Sequence, residues 1–315
     1  MTVLFAAACA GTSQARSSGG PAPGCDTECL SAAARSYWSA LLSHDAGRLK
    51  SAPGLVFTEN NVVLRTDQGL WQTIGSAEDR DIVFTDVPQG TVATTAVITE
   101  GSRPALLLAR LKVAGGAITE IETVVARKET STFLRPEGWY ESRTLLTRTV
   151  APASQRPRPA LIAAAEDYFN RIVDPSQPMP PLDPQCNRIE NGLRTTNNPD
   201  PFPGITPPPL SPAISRLGCE EQFQRKALGF ISRVRDRRYV LVDEPHGVVL
   251  SMVMFDHDGV APAQASPGQA QARLSSPLPS PYSFVVAELF KIEAGKIVLV
   301  QALLTQVPYG LHTAW

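Results

Sequence analysis

Two stretches decide how this chain reads: RLKVAGGAITEIET at 110–123 and LFKIEAGKIVLVQA at 289–302. Each joins two strand-like apolar runs through a glycine-containing turn, the pattern of a β-hairpin. Lys112, Gly116 and Ile118 match Lys291, Gly295 and Ile297, all at an offset of 179. A fixed offset is the signature of an internal repeat, and the rest of the chain follows it. Upstream, ARSYWSALLSHD at 34–45 answers AEDYFNRIVDPS at 165–176, each an amphipathic helix start with an aromatic pair, Tyr37-Trp38 and Tyr168-Phe169. Twenty-two residues after each tyrosine stands Glu-Asn, as Glu59-Asn60 and Glu190-Asn191, an offset of 131. Between these ends, DIVFTDVPQGTV answers RRYVLVDEPHGVV, with Asp86, Pro88 and Gly90 matching Asp243, Pro245 and Gly247.

The growth of the offset from 131 to 179 places two insertions in the second copy, NNPDPFPGITPPPLSP at 197–212 and DHDGVAPAQASPGQAQARLSSPLPSP at 256–281. Proline lacks an N–H and breaks helices and sheet ladders, so both read as surface loops. Twelve of the 28 prolines fall between Pro175 and Pro212, seven of them within the first insertion, which so absorbs much of the proline excess. Each copy reads as a helix, a polar segment carrying Glu-Asn, a further helix, and three or four strands. That order gives an α+β class with a curved antiparallel sheet wrapped over helices. The division expected is 1–24 as export segment and linker, 25–145 as first domain, 146–159 as an exposed Pro-rich connection, and 160–315 as second domain.

The composition agrees. A length of 315 residues suits about two domains, and 43% hydrophobic content is enough for a core. With 29 basic against 30 acidic residues the net charge is −1, which draws the chain to neither nucleic acid nor an anionic membrane. The opening MTVLFAAACAG is too short to span a bilayer and fits an export signal, so a periplasmic or extracellular location is expected, with no transmembrane segment. Its Ala-Ala-Ala-Cys ending also resembles a lipoprotein signal, which would anchor the chain through Cys9. The four remaining cysteines are an even set, read as Cys25–Cys29 and Cys186–Cys219 disulfides. Four buried thiols are the alternative; a zinc site is disfavoured, because no CxxC pair exists.

RLKVAGGAITEIET and LFKIEAGKIVLVQA, following an N-terminal helix and a polar segment, resemble the end of the NTF2-like (SnoaL-like) superfamily, and VPYGLHTAW at 307–315 resembles the end of a set of uncharacterised secreted bacterial and fungal proteins. The resemblance implies two tandem cone-shaped domains, each with a pocket between sheet and helices. It also implies cofactor-free acid/base chemistry in which a carboxylate, histidine or tyrosine works inside a dry cone. On that basis Glu190 is the candidate base, with His246 and Tyr168 assisting. Arg194, Glu288 and Asn191 are candidate substrate contacts, and Glu59, Arg65 and Tyr37 are their first-copy counterparts. His246 stands where the first copy has Gln89, and Glu288 where it has Ala109, so both are unique to the second copy. Each has a plain structural reading: an exposed turn for His246 and an outward strand position for Glu288. Arg65 and Arg194, present in both copies, read more naturally as partners of their own Glu59 and Glu190. Asp256-His257-Asp258 reads as a solvated turn, so no metal is expected. His312 and Trp315 read as a frayed end, or as a tail that closes over a pocket.

The sequence thus points to an exported small-molecule lyase or isomerase without cofactor, acting on a small apolar or aromatic molecule. The rival reading is a non-catalytic binding or scaffold module, and pairing into a homodimer stays open. No GxSxG elbow or nucleotide-binding motif supports other chemistry.

Overall fold

The computed structural model describes residues 25–204, 212–259 and 280–315. The export segment with Cys9, and parts of both insertions, lie outside the described residues. The protein is α+β, with two mixed sheets and few helices. In the first half, α1 (Thr27–Leu42) precedes β1 (Ser51–Glu59), β2 (Val62–Leu64), α2 (Leu70–Thr73), β3 (Ile74–Ala77), β4 (Val83–Asp86), β5 (Thr91–Glu100), β6 (Arg103–Ala114) and β7 (Ala117–Ala126). After α3 (Arg143–Thr147), the second half runs α4 (Arg158–Val173), β8 (Leu182–Glu190), β9 (Leu193–Arg194), α5 (Pro212–Ser215), α6 (Cys219–Gln224), β10 (Arg233–Asp243), β11 (Val248–His257), β12 (Tyr282–Glu293) and β13 (Lys296–Pro308).

Both long helices form for readable reasons. The Asp26 side chain caps α1 by accepting from Cys29 N at 2.9 Å, beside the Cys25–Cys29 disulfide. Leu30, Ala34, Tyr37, Trp38 and Leu41 then fall on one helical face and are buried. In α4 the matching face carries Leu161, Ala165, Tyr168, Phe169 and Ile172.

The sheets are ordered β2-β1-β7-β6-β5-β3, with β4 also on β5, and β10-β11-β12-β13-β8-β9. They are mixed, which corrects the antiparallel expectation. β1 runs parallel to β7 and β8 parallel to β13, while the other pairs are antiparallel. The Glu-Asn segment is itself a strand, laid against the last strand of its own half. Its polar residues (LDPQCNRIE in β8) conceal this, because strand propensity there yields to pairing.

Each sheet buries one face under its own helix and the other against the second sheet. Phe84, Leu106, Leu108 and Val124 of the first half share one core with Ile189, Leu250, Met254 and Leu289 of the second. With both faces covered, β11 is buried along its whole length and reads as a mostly apolar run, VVLSMVMFD, broken by Ser251 and Asp256.

The contact between sheets explains the duplicated Asp-x-Pro-x-Gly turn. Asp243 Oδ2 accepts from Thr85 N at 2.9 Å, and Asp86 Oδ2 accepts from Val242 N at 2.8 Å. The two halves thus exchange equivalent bonds, as the subunits of a two-fold dimer do. Gly90 and Gly247 have φ of +58° and +59°, and a Cβ at either would overlap the carbonyl of Val113 or Ile292. Those carbonyls lie close because Val113 N and Ile292 N donate to Gly90 O and Gly247 O, each at 2.8 Å.

The stretch 146–159 is exposed over about half its residues and anchored at a few points. Leu146 and Val150 are buried, Val150 N donates to Pro245 O at 2.8 Å, and Ala294 N donates to Ser154 O at 2.9 Å. The chain end is likewise docked, with Trp315 Nε1 on Thr58 Oγ1 at 3.1 Å and the ring beneath Arg110. No helix among the described residues is long and apolar enough to cross a membrane.

Candidate active site

Strand register puts the candidate residues into two equivalent rows. Across the second sheet, Ser251 pairs with Glu288, Glu288 with Ala302, and Ala302 with Glu190. Across the first, Thr94 pairs with Ala109, Ala109 with Thr123, and Thr123 with Glu59. Both rows face the helix-covered interior. Glu288 shares its strand face with Phe284, Val286 and Phe290, all in the core beneath α4, so it points inward and the outward reading is excluded.

The two interiors differ in chemistry. Two residues before each Glu, on the same face, stands Phe57 in the first half and Arg188 in the second. Phe57 packs edge-on against Trp71, with ring centroids 6.3 Å apart. Arg188 is only 4% exposed, and each of its guanidinium nitrogens has a partner. Nε donates to Thr195 Oγ1 at 3.2 Å and lies 3.5 Å from Glu190 Oε2, Nη1 donates to Tyr168 OH at 3.4 Å, and Nη2 donates to Gln222 Oε1. Gln222 cannot turn away, because its Nε2 donates to Thr195 O at 2.7 Å and Ile214 O at 3.0 Å. The Cys186–Cys219 disulfide ties β8 to α6, the elements that carry Arg188 and Gln222.

Glu288 is 2% exposed, and its Oε2 has no hydrogen-bond partner. Burial, reinforced by the nearby charge of Glu190 and only partly offset by Arg188, pushes its carboxyl up to about 8. Burial works against the charge of Arg188, but Glu190, Tyr168 and Glu288 outweigh it and hold the guanidinium above its ordinary value. Tyr168 is raised chiefly by burial, with Arg188 opposing. The result is a neutral carboxylic acid at physiological pH, one strand removed from a carboxylate held by a buried cation. Such an arrangement can give a proton at one point and take one at another.

Other candidates lie elsewhere. His246 sits at the β10–β11 turn, with its ring nitrogen 2.8 Å from Asp243 Oδ1 and its edge on Phe84 of the first half. Arg194 pairs with Glu141 at 3.1 Å and Arg65 with Asp67 at 3.0 Å, so neither meets the Glu of its own copy. Glu59 instead meets Arg127 at 2.8 Å and accepts from Leu70 N at 2.7 Å. Tyr37 OH is buried without a partner, and burial, then Glu59, raises it. Asn60 and Asn191 are staples in the left-handed region, at φ of 51° and 46°. Asn60 bonds both backbone groups of Val125, at 2.8 and 3.2 Å, and Asn191 bonds both of Leu304, at 2.9 Å each.

Arg188, Gln222, Thr195 and Ser251 escape sequence reading. Arg188 alone carried a signal: it stands 131 residues after Phe57. The expected open pocket is not where the candidates meet. Of the best-formed depressions among the described residues, one of about 450 Å³ is lined by Arg35, Trp38, Asp79 and Arg80 on the first half. Another, of about 10 Å³, lies between the sheets beside Glu122 and Arg238. Tyr168, Phe223 and Phe290 instead fill the space over Glu288, with centroids 5.1 and 5.2 Å from the tyrosine ring. No group of three or more His, Cys, Asp or Glu among the described residues is arranged to hold a metal.

Residues 154–304 match a family described as a domain of unknown function, DUF8021. No curated protein matches the chain. Among solved structures, an LEH-like epoxide hydrolase from M. tuberculosis is similar at 18% identity and a TM-score of 0.26, over 31% of this chain and 83% of that one. An NTF2-like protein of unknown function from Burkholderia xenovorans is similar at 13% identity and a TM-score of 0.24, over 36% of this chain and 92% of that one. These are partial likenesses in fold and say nothing of chemistry.

Proposed function

We propose that the chain is an exported tandem of two NTF2-like units, 25–145 and 160–315 joined by 146–159, in which only the second works chemically. Its activity is cofactor-free acid/base catalysis of the lyase or isomerase type on a small apolar or aromatic molecule. Glu288, neutral at rest, donates a proton to the substrate atom that gains negative charge. Glu190, oriented by Arg188, accepts the proton that leaves. Tyr168 and Gln222 keep Arg188 in place, and this set replaces His246 and Arg194. The observation that carries the reading is the Glu288 carboxyl, buried with one oxygen unpartnered beside a paired Arg188 and Glu190. A buried carboxyl without a partner costs stability, and function is the usual reason to keep one. Two disulfides suit the oxidising location.

A second reading, a rigid scaffold, is favoured by the aromatic filling of the space over Glu288. The discriminating experiment identifies small molecules that co-purify with the protein by native mass spectrometry, then follows their conversion. Wild type should convert the bound molecule, and Glu288→Gln should lose at least about 100-fold in turnover while keeping its fold. Conversion by Glu288→Gln at the wild-type rate would remove Glu288 from the mechanism, and the absence of any conversion by wild type would favour the scaffold.

A further inference from the structure

Where the long helix of each half meets the edge of its sheet, the two halves carry different charges. In the second half, Glu166 of α4 pairs with Arg237 of β10 at 2.6 Å and accepts from Tyr239 OH. The Arg237 guanidinium also donates to Asn170 Oδ1 at 2.6 Å and lies 5.8 Å from the centre of the Phe169 ring. Helix and strand are thereby joined. In the first half, Arg35 stands at the helix position of Glu166 and Trp38 at that of Phe169, each 131 residues earlier. Arg80 stands at the position of Arg237, 157 residues earlier, the same interval that separates Asp86 from Asp243. The acid of the pair has become a second arginine, so the joining ion pair cannot form.

A depression of about 450 Å³ lies there instead, within the size range of small-molecule sites. Arg35, Trp38, Ala77, Asp79, Arg80 and Asp81 line it. Its acids are engaged: Arg143 of α3 holds Asp79 at 2.9 Å and Asp81 at 2.7 Å. The Tyr140 hydroxyl fixes this rim, donating to Glu78 O and accepting from Val97 N, each at 2.9 Å. Arg35 meets Glu28 in a solvent-exposed pair, which is worth little. The Arg80 side chain has no ion pair or hydrogen bond among the described residues. Two guanidinium groups thus share one concave site with only that weak pair between them. Trp38 is 2% exposed and donates from Nε1 to Thr94 Oγ1 at 2.9 Å. Its ring therefore floors the depression and separates it from the interior row of Thr94 and Glu59.

We propose that this depression binds the carboxylate of a small molecule between Arg35 and Arg80, with the apolar body of that molecule against Ala77 and the edge of Trp38. A guanidinium matches a carboxylate in two-point geometry and binds it by charge-assisted hydrogen bonds. Arg35, Arg80 and Arg143 balance Glu28, Asp79 and Asp81, so the surroundings are neutral as a whole. A singly charged group suits them better than a phosphate dianion, which the two rim acids repel. The site lies on the first half, outside the helix-covered interior, and is independent of the acid/base reading of the second half.

Three matched probes test this: benzoate, phenyl phosphate and uncharged benzamide, each titrated into the full chain and followed by ligand-observed NMR. Benzoate should bind wild type more tightly than either of the others. Arg35→Glu restores the acid that the second half carries at Glu166, which gives Arg80 an internal partner and should weaken benzoate by at least about 10-fold. Arg80→Gln should weaken it to a similar degree. Both side chains are exposed, so neither variant should lose its fold. Arg65→Gln, beside the opposite edge strand β2, should bind benzoate as wild type does. The proposal is overturned if benzoate does not bind wild type, if benzamide or phenyl phosphate binds as tightly, if Arg35→Glu or Arg80→Gln binds benzoate unchanged, or if Arg65→Gln weakens it as much as they do.

Discussion

The two halves share a backbone plan and differ in what they place at the same register positions. In the first, Phe57 packs on Trp71, and the row Thr94, Ala109, Thr123 and Glu59 is nearly self-sufficient. Thr94 accepts from Trp38, Thr123 Oγ1 donates to Thr58 O at 2.9 Å, and Glu59 is held by Arg127 and Leu70 N. In the second, Arg188 replaces the phenylalanine, Glu288 replaces the alanine, and two side-chain oxygens are left unpartnered. At this row the duplicated frame thus holds satisfied groups in one interior and an unpartnered acid and hydroxyl in the other, while the first interior leaves Tyr37 OH and Trp71 Nε1 unpartnered away from the row.

The sharpest way to break this comparison is at Arg188. Replacing it by methionine removes one partner from a buried network and leaves Glu190, Gln222 and Thr195 facing an apolar stub. The expected loss is about 3–5 kcal/mol, read by urea unfolding. A loss below about 1 kcal/mol would mean that the cation is not integrated, and the contrast with Phe57 would dissolve.

A smaller effect tests the sameness of the frame. Asn60→Ala and Asn191→Ala each remove two backbone bonds and place alanine at positive φ. Each should cost about 2 kcal/mol, and the two costs should agree within about 0.5 kcal/mol. Clearly unequal costs would show that the Glu-Asn motif does different work in the two halves.

The repeat was legible because its markers are tied to turns and strand ends. Gly90 and Gly247 need the same close approach, and Asn60 and Asn191 need the same left-handed backbone. Lys112 and Lys291 likewise bond the equivalent carbonyls of Gln89 and His246, at 2.5 and 2.6 Å. Both disulfides were also readable from the even cysteine set. The parallel strands were not, since β1 and β8 find their partners about 60 and 110 residues downstream and carry little apolar signal. Glu288 stood out as a carboxylate in an apolar strand. Its neighbours did not, because an arginine in a polar segment, a glutamine in a short helix and a serine in a strand are individually ordinary. Only the register brings them to one place. Arg65 and Arg194 mislead because each takes another acid, Arg65 the adjacent Asp67 and Arg194 the distant Glu141.

The central claim is that Glu288 is a buried neutral acid, and its effect on pH-dependent stability tests this most directly. A carboxyl raised in the folded state to about 8 binds its proton there over a range where the unfolded chain has lost it. Its contribution is fully present below the unfolded value of about 4.3. It is lost progressively as pH rises through the folded value, a change on the order of a few kcal/mol. Urea unfolding of wild type and Glu288→Gln, compared from pH 5 to 9, should therefore show wild type losing stability relative to the variant up to about pH 8 and running parallel to it above. Curves parallel across the whole range would mean that Glu288 titrates as an ordinary carboxylate, and would contradict the account.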